Sequence, residues 1–374
     1  MVVTHAVMRI LVAGLVLIAI GIGLTEYDRR HAQAPLPEAA KSRKKKTPAA
    51  AAPAPGMAAM LKTVPPEPDA PGDLAAFSRA LGALAADAKA DGFTTVLSGA
   101  YTVRELKGSS GFAVAVVGAG ATSGLVKVTP GAGVAAIAAR SSTVTALAID
   151  GQTVWWAEGQ RVFSAGADGV VKAASQFVNA SVAGLAAHEG VVIAALVPKD
   201  GDPFATDPSG ALVKLESNGS ATMVAPEQVR PHDLLLHKSD VFFVAGYPSA
   251  LVRAALDGSF SAQIAERADG PLAFDGEGIV YRIPQGSPEL KRVAPAGGGE
   301  VSLAQGDVDW LAASGGVARY TTVGIGSRLY EVSAGQEPKE ALALKGIARG
   351  LAVVGEHVVL AATTDEGATV IRVK

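Results

Sequence analysis

No cysteine occurs among the 374 residues, which excludes disulfides, thiolate nucleophiles, cysteine-ligated zinc and iron–sulfur clusters while leaving the redox compartment open. Charge is sparse as well. Asp, Glu, Lys and Arg make up 18% of the chain, the net charge is −2, and outside one short segment the basic residues form no stripe interleaved with aromatics. Nucleic acid is therefore not an expected partner. No Gly-x-Ser-x-Gly elbow, P-loop or His-Glu-x-x-His segment is present, so nucleophile, phosphate-loop and zinc-protease chemistry lack their defining parts. Apolar side chains, at 49%, and turn formers, with 43 Gly and 21 Pro, dominate instead. That balance predicts a large core and an all-β chain with many turns.

Near the N-terminus, Ile10 to Leu24 is an unbroken apolar run between Arg9 and the polar Thr25–Arg30 stretch. It has the length of a signal-peptide core, and extended back through Ala6, Val7 and Met8 it can span a bilayer if Arg9 snorkels to the interface. The best cleavage match, Ala32-Gln33-Ala34, is followed at once by Pro35, a poor context for cutting. Residues 1–31 are thus read as an uncleaved signal anchor in preference to a removed signal peptide, with the folded part outside the cytoplasm, in the periplasm or cell envelope. Secretion after cleavage is the alternative. Residues 32–72 are rich in Pro, Ala and Lys and read as a disordered tether, with a reach on the order of 100 Å if extended. The cluster Lys41 to Lys46 is either a solvated run or a contact for anionic lipid. From Asp73 to about Asp91, Leu74, Phe77, Leu81 and Leu84 recur at helical spacing, and Gly92 stops the pattern.

Beyond Phe93 a unit of about 40 residues repeats. Leu147, Leu185, Leu234, Leu272, Leu311 and Leu351 each stand three residues before a tight-turn position held in order by Asp150, His188, His237, Asp275, Ser314 and Val354. Leu106 is a looser counterpart. An almost wholly apolar strand follows each turn, for example Val191 to Leu196 and Val241 to Ala245, as expected of strands buried on both faces. Third strands are the most regular: Leu125 to Val128, Arg161 to Ser164, Leu212 to Leu215, Leu251 to Ala254, Leu290 to Val293, Leu329 to Val332 and Val370 to Val373. A fourth strand then carries an apolar–small pair such as Ile137-Ala138, Ile264-Ala265 or Leu342-Ala343. The last repeat lacks a fourth strand, and residues 94–100, with Leu97-Ser98, are positioned to supply it. Seven four-stranded antiparallel blades closed in this way make a seven-bladed β-propeller over 93–374, expected to be monomeric.

The segment Ala148-Ile149-Asp150-Gly151 followed by Val154-Trp155-Trp156-Ala157-Glu158 resembles the YWTD, NHL and TolB-like group of WD40-like propellers, in which an Asp-Gly turn precedes a Val-Tyr-Trp-Thr-Asp-type strand. The resemblance implies the fold and a capacity to bind proteins or ligands. It carries over no catalytic residue.

Where the first strands begin, the loops gather Arg230, His232, Asp233, Arg267, Asp269, Asp307, Asp309 and Arg349 around one mouth of the channel. Mixed charge of this kind can take a small anion, a sugar or a peptide, and His232 can act as a base. In blade three a ten-residue insertion brings Asp200, Asp202 and Asp207 together in sequence, a candidate Ca²⁺ loop, although its spacing is not that of an EF-hand. Gly118 to Gly124 looks like a dinucleotide loop but runs into a strand rather than a helix, so it is read as a blade loop. Two functions follow: a membrane-tethered module that binds a protein or small ligand without catalysis, or a propeller hydrolase or lactonase with metal-binding carboxylates at the mouth.

Overall fold

A computed structural model describes residues 55–66, 72–119, 122–201 and 206–374, so the expected anchor and the basic cluster lie outside the described residues. Seven antiparallel sheets are present, and in six of them the four blade strands run in sequence order outward from the innermost. Blade one comprises Thr102–Gly108, Ala113–Ala119, Thr122–Thr129 and Gly133–Arg140. The innermost strands of blades two to seven are Ala146–Asp150, Ala180–His188, His232–His237, Asp269–Phe274, Val308–Ser314 and Gly346–Val354. Blade seven takes its fourth strand from the start of the domain, where Phe93–Gly99 pairs antiparallel with Thr369–Val373.

Closure is visible in the core. The buried apolar residues fall into seven clusters, and each spans one blade–blade interface, including the interface between blades seven and one. The continuous apolar second strands follow from this, because successive residues of a strand point to opposite faces. In blade four, Phe243 packs toward blade three while Phe242 packs toward blade five. In blade one, Ala113, Ala115 and Val117 face blade seven, and Val114 and Val116 face blade two.

Two bulges recur. Each outermost ladder strand skips one residue: Ile137, Ala174, Val224, Ile264, Ser302-to-Ala304 at Leu303, Ala341 and Val96. The apolar–small pair marks this bulge in blades one, three, four and five. In blades six and seven the register corrects the expected pairs by one residue, to Ala341-Leu342 and Val96-Leu97, because an alanine and a valine occupy the bulge there. A second bulge lies near the start of the innermost strand in every blade except the second. Bulges re-aim side chains, and these sit at the channel mouth.

Residues before the propeller are more ordered than their composition suggests. Pro55–Met60 is a short helix, α1, and Thr63–Val64 adds a fifth strand to blade two by pairing with Phe177 and Gln176. Met57 and Met60 are buried in the core between blades two and three, so the reading of 32–72 as a structureless tether fails for these residues. Asp73 caps the next helix, α2 (Leu74–Leu84), by accepting from the Ala76 amide at 2.8 Å. Phe77 and Leu81 of α2 enter the core between blades seven and one, and Phe77 lies where a side chain on Gly124 would collide at 2.7 Å.

The helix was expected to reach Asp91, but it stops at Leu84. Asp91 and Gly92 both have positive φ, 53° and 77°, and join Ala85–Ala90 to Phe93–Gly99 as a two-residue hairpin. Such a turn requires strands on both sides, so the alanine-rich segment becomes a fifth, edge strand of blade seven.

Turns also tie neighbouring blades together. Both oxygens of the Asp150 carboxylate in blade two accept from the turn of blade three, from the Glu189 amide at 2.9 Å and the Gly190 amide at 2.7 Å. Asp150→Ala should cost about 1–2 kcal/mol, since each bond is charge-assisted but partly solvated. Urea denaturation of the full chain measures it, and an unchanged midpoint would show the clamp to be idle.

Candidate functional site

In an up-and-down sheet, the beginnings of the first strands and the connections between second and third strands lie at the same end. That end opens onto an axial cavity of about 720 Å³. Its wall near the mouth includes Arg104, Glu105, His232, Asp233, Arg282 and Asp309, with Trp310 beside them. The repeated leucines Leu106, Leu147, Leu185, Leu234, Leu272, Leu311 and Leu351 also line it.

Blades four and five hold the densest constellation. His232 Nδ1 lies 2.7 Å from Asp233 Oδ2, and the ligand atoms of His232, Asp233 and Asp269 fall within 4.8 Å of one another. Asp269 accepts from its own following amide, that of Gly270, at 2.9 Å and from Arg282 at 3.2 Å, while Arg282 also donates to the Val308 carbonyl at 2.8 Å. Asp233 adopts a φ of 48°, a conformation that bulky residues avoid. Its carboxylate then occupies the space a side chain at position 270 would need, with the Asp233 Cγ 2.0 Å from an added Cβ, so only glycine is accommodated there.

Burial alone would raise the Asp233 carboxyl. The hydrogen bond and charge of His232, with Lys107 and Arg282, outweigh it and hold the group below its ordinary value. Glu105 is the reverse: burial pushes its carboxyl up, Lys107 at 3.9 Å draws it back, and Asp233 adds to the rise.

Asp309 differs from all of these. Burial raises its carboxyl, and Arg282 and Arg349 oppose that without cancelling it. No hydrogen bond reaches this carboxylate and no cation lies within ion-pair distance of it, as judged among the described residues. A group whose folded-state value is raised loses stability as pH climbs through that value, because its charged form is disfavoured in the fold. Asp309→Asn should therefore raise the melting temperature at pH 7 and leave it unchanged at a pH below the ordinary carboxyl range. Equal melting curves at both pH values would contradict this.

Of the eight residues expected at the mouth, the structure brings together His232, Asp233, Asp269 and Asp309, and Arg349 acts on Asp309 from the next blade. Arg230 is half-buried in the loop leading into blade four, with a φ of 49°. Arg267 turns away and donates to the Gln285 carbonyl in its own blade. Asp307 is exposed and lies outside the cavity wall. In the insertion, Asp200 and Asp207 are exposed, Asp202 lies outside the described residues, and the group of three potential ligands found among the described residues is at the mouth instead. His188 and His237 are the last residues of their innermost strands, just before the turns, and His237 packs on the Phe274 ring at 4.0 Å.

Sequence reasoning missed Arg104, Glu105, Lys107, Arg282 and Trp310. Arg282 was visible as the lone charge in the apolar strand Ile279–Ile283, and Arg104 stands two residues before Leu106 as Asp309 and Arg349 stand before Leu311 and Leu351. A basic residue recurs on the third strands, at Lys127, Lys214, Arg253 and Arg292, and each is engaged within its own blade. Arg253 pairs with Asp240 at 2.8 Å, Arg292 with Asp275 at 3.3 Å, Lys214 with Glu216 at 3.6 Å, and Lys127 lies over the Phe112 ring.

Comparison with solved structures places this chain's fold among the β-propellers. It superposes on the β-propeller domain of Cps50 (Swd1) from Myceliophteria thermophila with a TM-score of 0.54 at 15% identity, covering 74% of this chain and 98% of that one. The β-propeller domain of the Trilobed protease from Pyrococcus furiosus, described as having an open velcro topology, gives a TM-score of 0.56 at 12% identity over 73% and 95%. Pyrococcus horikoshii acylaminoacyl peptidase gives 0.52 at 11% over 70% of this chain but 49% of its own, so the present chain spans about half of that enzyme. At such identities the likeness concerns fold alone. No family model matches the chain, and no curated protein is similar to it in sequence.

Proposed function

We propose that the propeller is a binding module that receives a protein or small ligand at the channel mouth marked by His232, Asp233, Asp269 and Asp309. One observation carries this reading: Asp309, in the wall of a roomy cavity, has a half-buried carboxylate that makes no hydrogen bond among the described residues. A carboxylate in a concave wall whose only partners are water molecules is free to take a ligand's donor. Affinity capture with the full chain as bait tests it, alongside Asp309→Asn and Asp233→Asn baits. Partners held by the parent chain and lost by both variants support the mouth; equal capture by all three baits removes it.

In this reading residues 1–31 anchor the chain and the propeller works outside the cytoplasm. The hydrophobic run Ile10 to Leu24 supports that placement. No helix among the described residues is long and apolar enough to cross a membrane. Carbonate extraction and protease accessibility of intact cells test it: a chain released by carbonate, or one shielded from external protease until cells are opened to the cytoplasm, would overturn the placement.

A metal-assisted hydrolase is a second reading, favoured by the His232, Asp233 and Asp269 group alone. One imidazole and two carboxylates suit zinc or manganese better than calcium, which takes six to eight oxygens. Against it, His232 Nδ1 is engaged by Asp233, and Arg282 donates to Asp269, so a cation must displace a guanidinium. Melting curves with Zn²⁺, Mn²⁺ and Ca²⁺ decide the matter. A melting temperature indifferent to all three ions, together with no turnover of simple esters and lactones, sinks the hydrolase.

A further inference from the structure

Three of the charges that the innermost strands bring to the mouth have no ion pair among the described residues once the internal pairs are assigned. Lys107 is near Glu105, Arg282 bonds Asp269, and His232 bonds Asp233. What is left is Asp309 in blade six, Arg349 in blade seven and Arg104 in blade one. They occupy one registered position, two residues before Leu311, Leu351 and Leu106, within the bulge of each innermost strand. Blades six, seven and one are consecutive around the closed ring, so the three groups form an arc ordered carboxylate, guanidinium, guanidinium.

Among the described residues, no acid lies within ion-pair distance of either arginine. Arg349 Nε donates to the Thr363 hydroxyl at 3.1 Å, and Arg104 reaches the Thr143 hydroxyl at 3.4 Å. A hydroxyl partner steadies the guanidinium without consuming its charge, and the planar fork retains donors for a bidentate acceptor. On blade six, the connection after its second strand (Val317–Thr322) exposes Val323 by 56% and Ile325 by 87% at the same end as the mouth. They follow Thr322, which pairs with Val308, the residue before Asp309.

We infer that this arc binds an α-carboxylate together with the N–H beside it, as offered by a free amino acid or by the last residue of a polypeptide. Arg104 and Arg349 clamp the carboxylate. Asp309 accepts from the neighbouring N–H, and Val323 with Ile325 meet an apolar side chain. A multiply charged anion such as phosphate fits poorly, since it would bring its second charge against Asp309. The inference rests on the channel mouth being a binding site and specifies the ligand class.

The test is calorimetric titration of the purified full chain. Probes are L-leucine, its des-amino analogue 4-methylpentanoate, leucinamide, and an alanine hexapeptide ending in leucine as free acid and as amide. Free acids should bind, with the amides at least about tenfold weaker. Arg349→Gln and Arg104→Gln should each weaken the free acids about ten- to a hundredfold, as expected for losing a hydrogen bond to a charged group. Asp309→Asn should keep the carboxylate requirement and abolish the preference for L-leucine over 4-methylpentanoate. A peptide that binds more tightly than L-leucine assigns the site to a chain terminus, and the reverse assigns it to a free amino acid. Acids and amides binding alike, arginine variants binding like the parent, or no probe binding would each overturn the inference. If no probe binds while a captured partner is still lost from the Asp309→Asn bait, the ligand class falls and the mouth remains a binding site.

Discussion

Arg140→Met should lower the unfolding free energy by about 3–5 kcal/mol, the cost of leaving one member of a buried ion pair alone. Arg140, at the end of the outermost strand of blade one, pairs through Nε with Glu158 of blade two, and both side chains are only 2% exposed. The guanidinium also lies 4.5 Å from the Phe163 ring centroid and 5.5 Å from that of Trp156. Glu158 Oε1 further accepts from Trp156 Nε1 at 3.1 Å, so the pair is locked into the aromatic core between the blades. Removing the arginine leaves the acid in that core with only the more distant Arg161, 3.9 Å from its other oxygen, and the Trp156 indole. Arg140→Met combined with Glu158→Leu should recover much of the loss, because two apolar side chains of similar volume replace the pair. Chemical denaturation of the parent, both single variants and the double variant gives the coupling directly. A single-variant cost below about 1 kcal/mol would mean that water reaches the site and screens it.

Deleting residues 85–99 should have the larger effect, abolishing the cooperative folding of the ring. Phe93–Gly99 completes blade seven, and Leu97 lies in the core shared with blade one while Phe93 lies in the core shared with blade six. Without the segment, the Thr369–Val373 strand becomes an open edge and two of the seven interfaces lose fully buried side chains. A milder version is Leu97→Ala, expected to cost about 2–5 kcal/mol as a large-to-small change in a packed core. Circular dichroism and thermal melting check both. A deleted chain that still melts in one sharp transition near the parent temperature would show that blade seven tolerates three strands.

The fold was legible because its signals repeat. Seven third strands in register, and apolar second strands that fill two interfaces each, leave few architectures open. What escaped the sequence was local and non-repeating. Asp91-Gly92 reads equally as the stop of a helix and as a hairpin turn, and only the vacant edge of blade seven decides between them. Met57 and Met60 stand out from a Pro- and Ala-rich stretch, yet nothing nearby in sequence shows the groove they fill. Arg140 and Glu158 are 18 residues apart in different blades, and each alone looks like a solvated strand-end charge.

The candidate site was half legible for the same reason. Charges counted back from a repeat leucine were found where the leucine was well registered, at Asp309 and Arg349. Arg104 and Glu105 were lost because Leu106 was a looser match. Arg267 misled because its position in a connecting loop says nothing of direction, and its side chain bonds within its own blade.

The segment that leads into the propeller attaches in reverse blade order: Thr63–Val64 on blade two, Gly72 and α2 on blade one, then Ala85–Gly99 on blade seven. Tension applied upstream of Pro55 thus enters the molecule far from the strand that closes it. The two-residue strand and the methionine anchors yield first, by peeling, and α2 follows. Only then does load reach Phe93–Gly99. The wrapped segment lies in series with the ring, so a pull from the N-terminal side would load these attachments before it loads the closing strand.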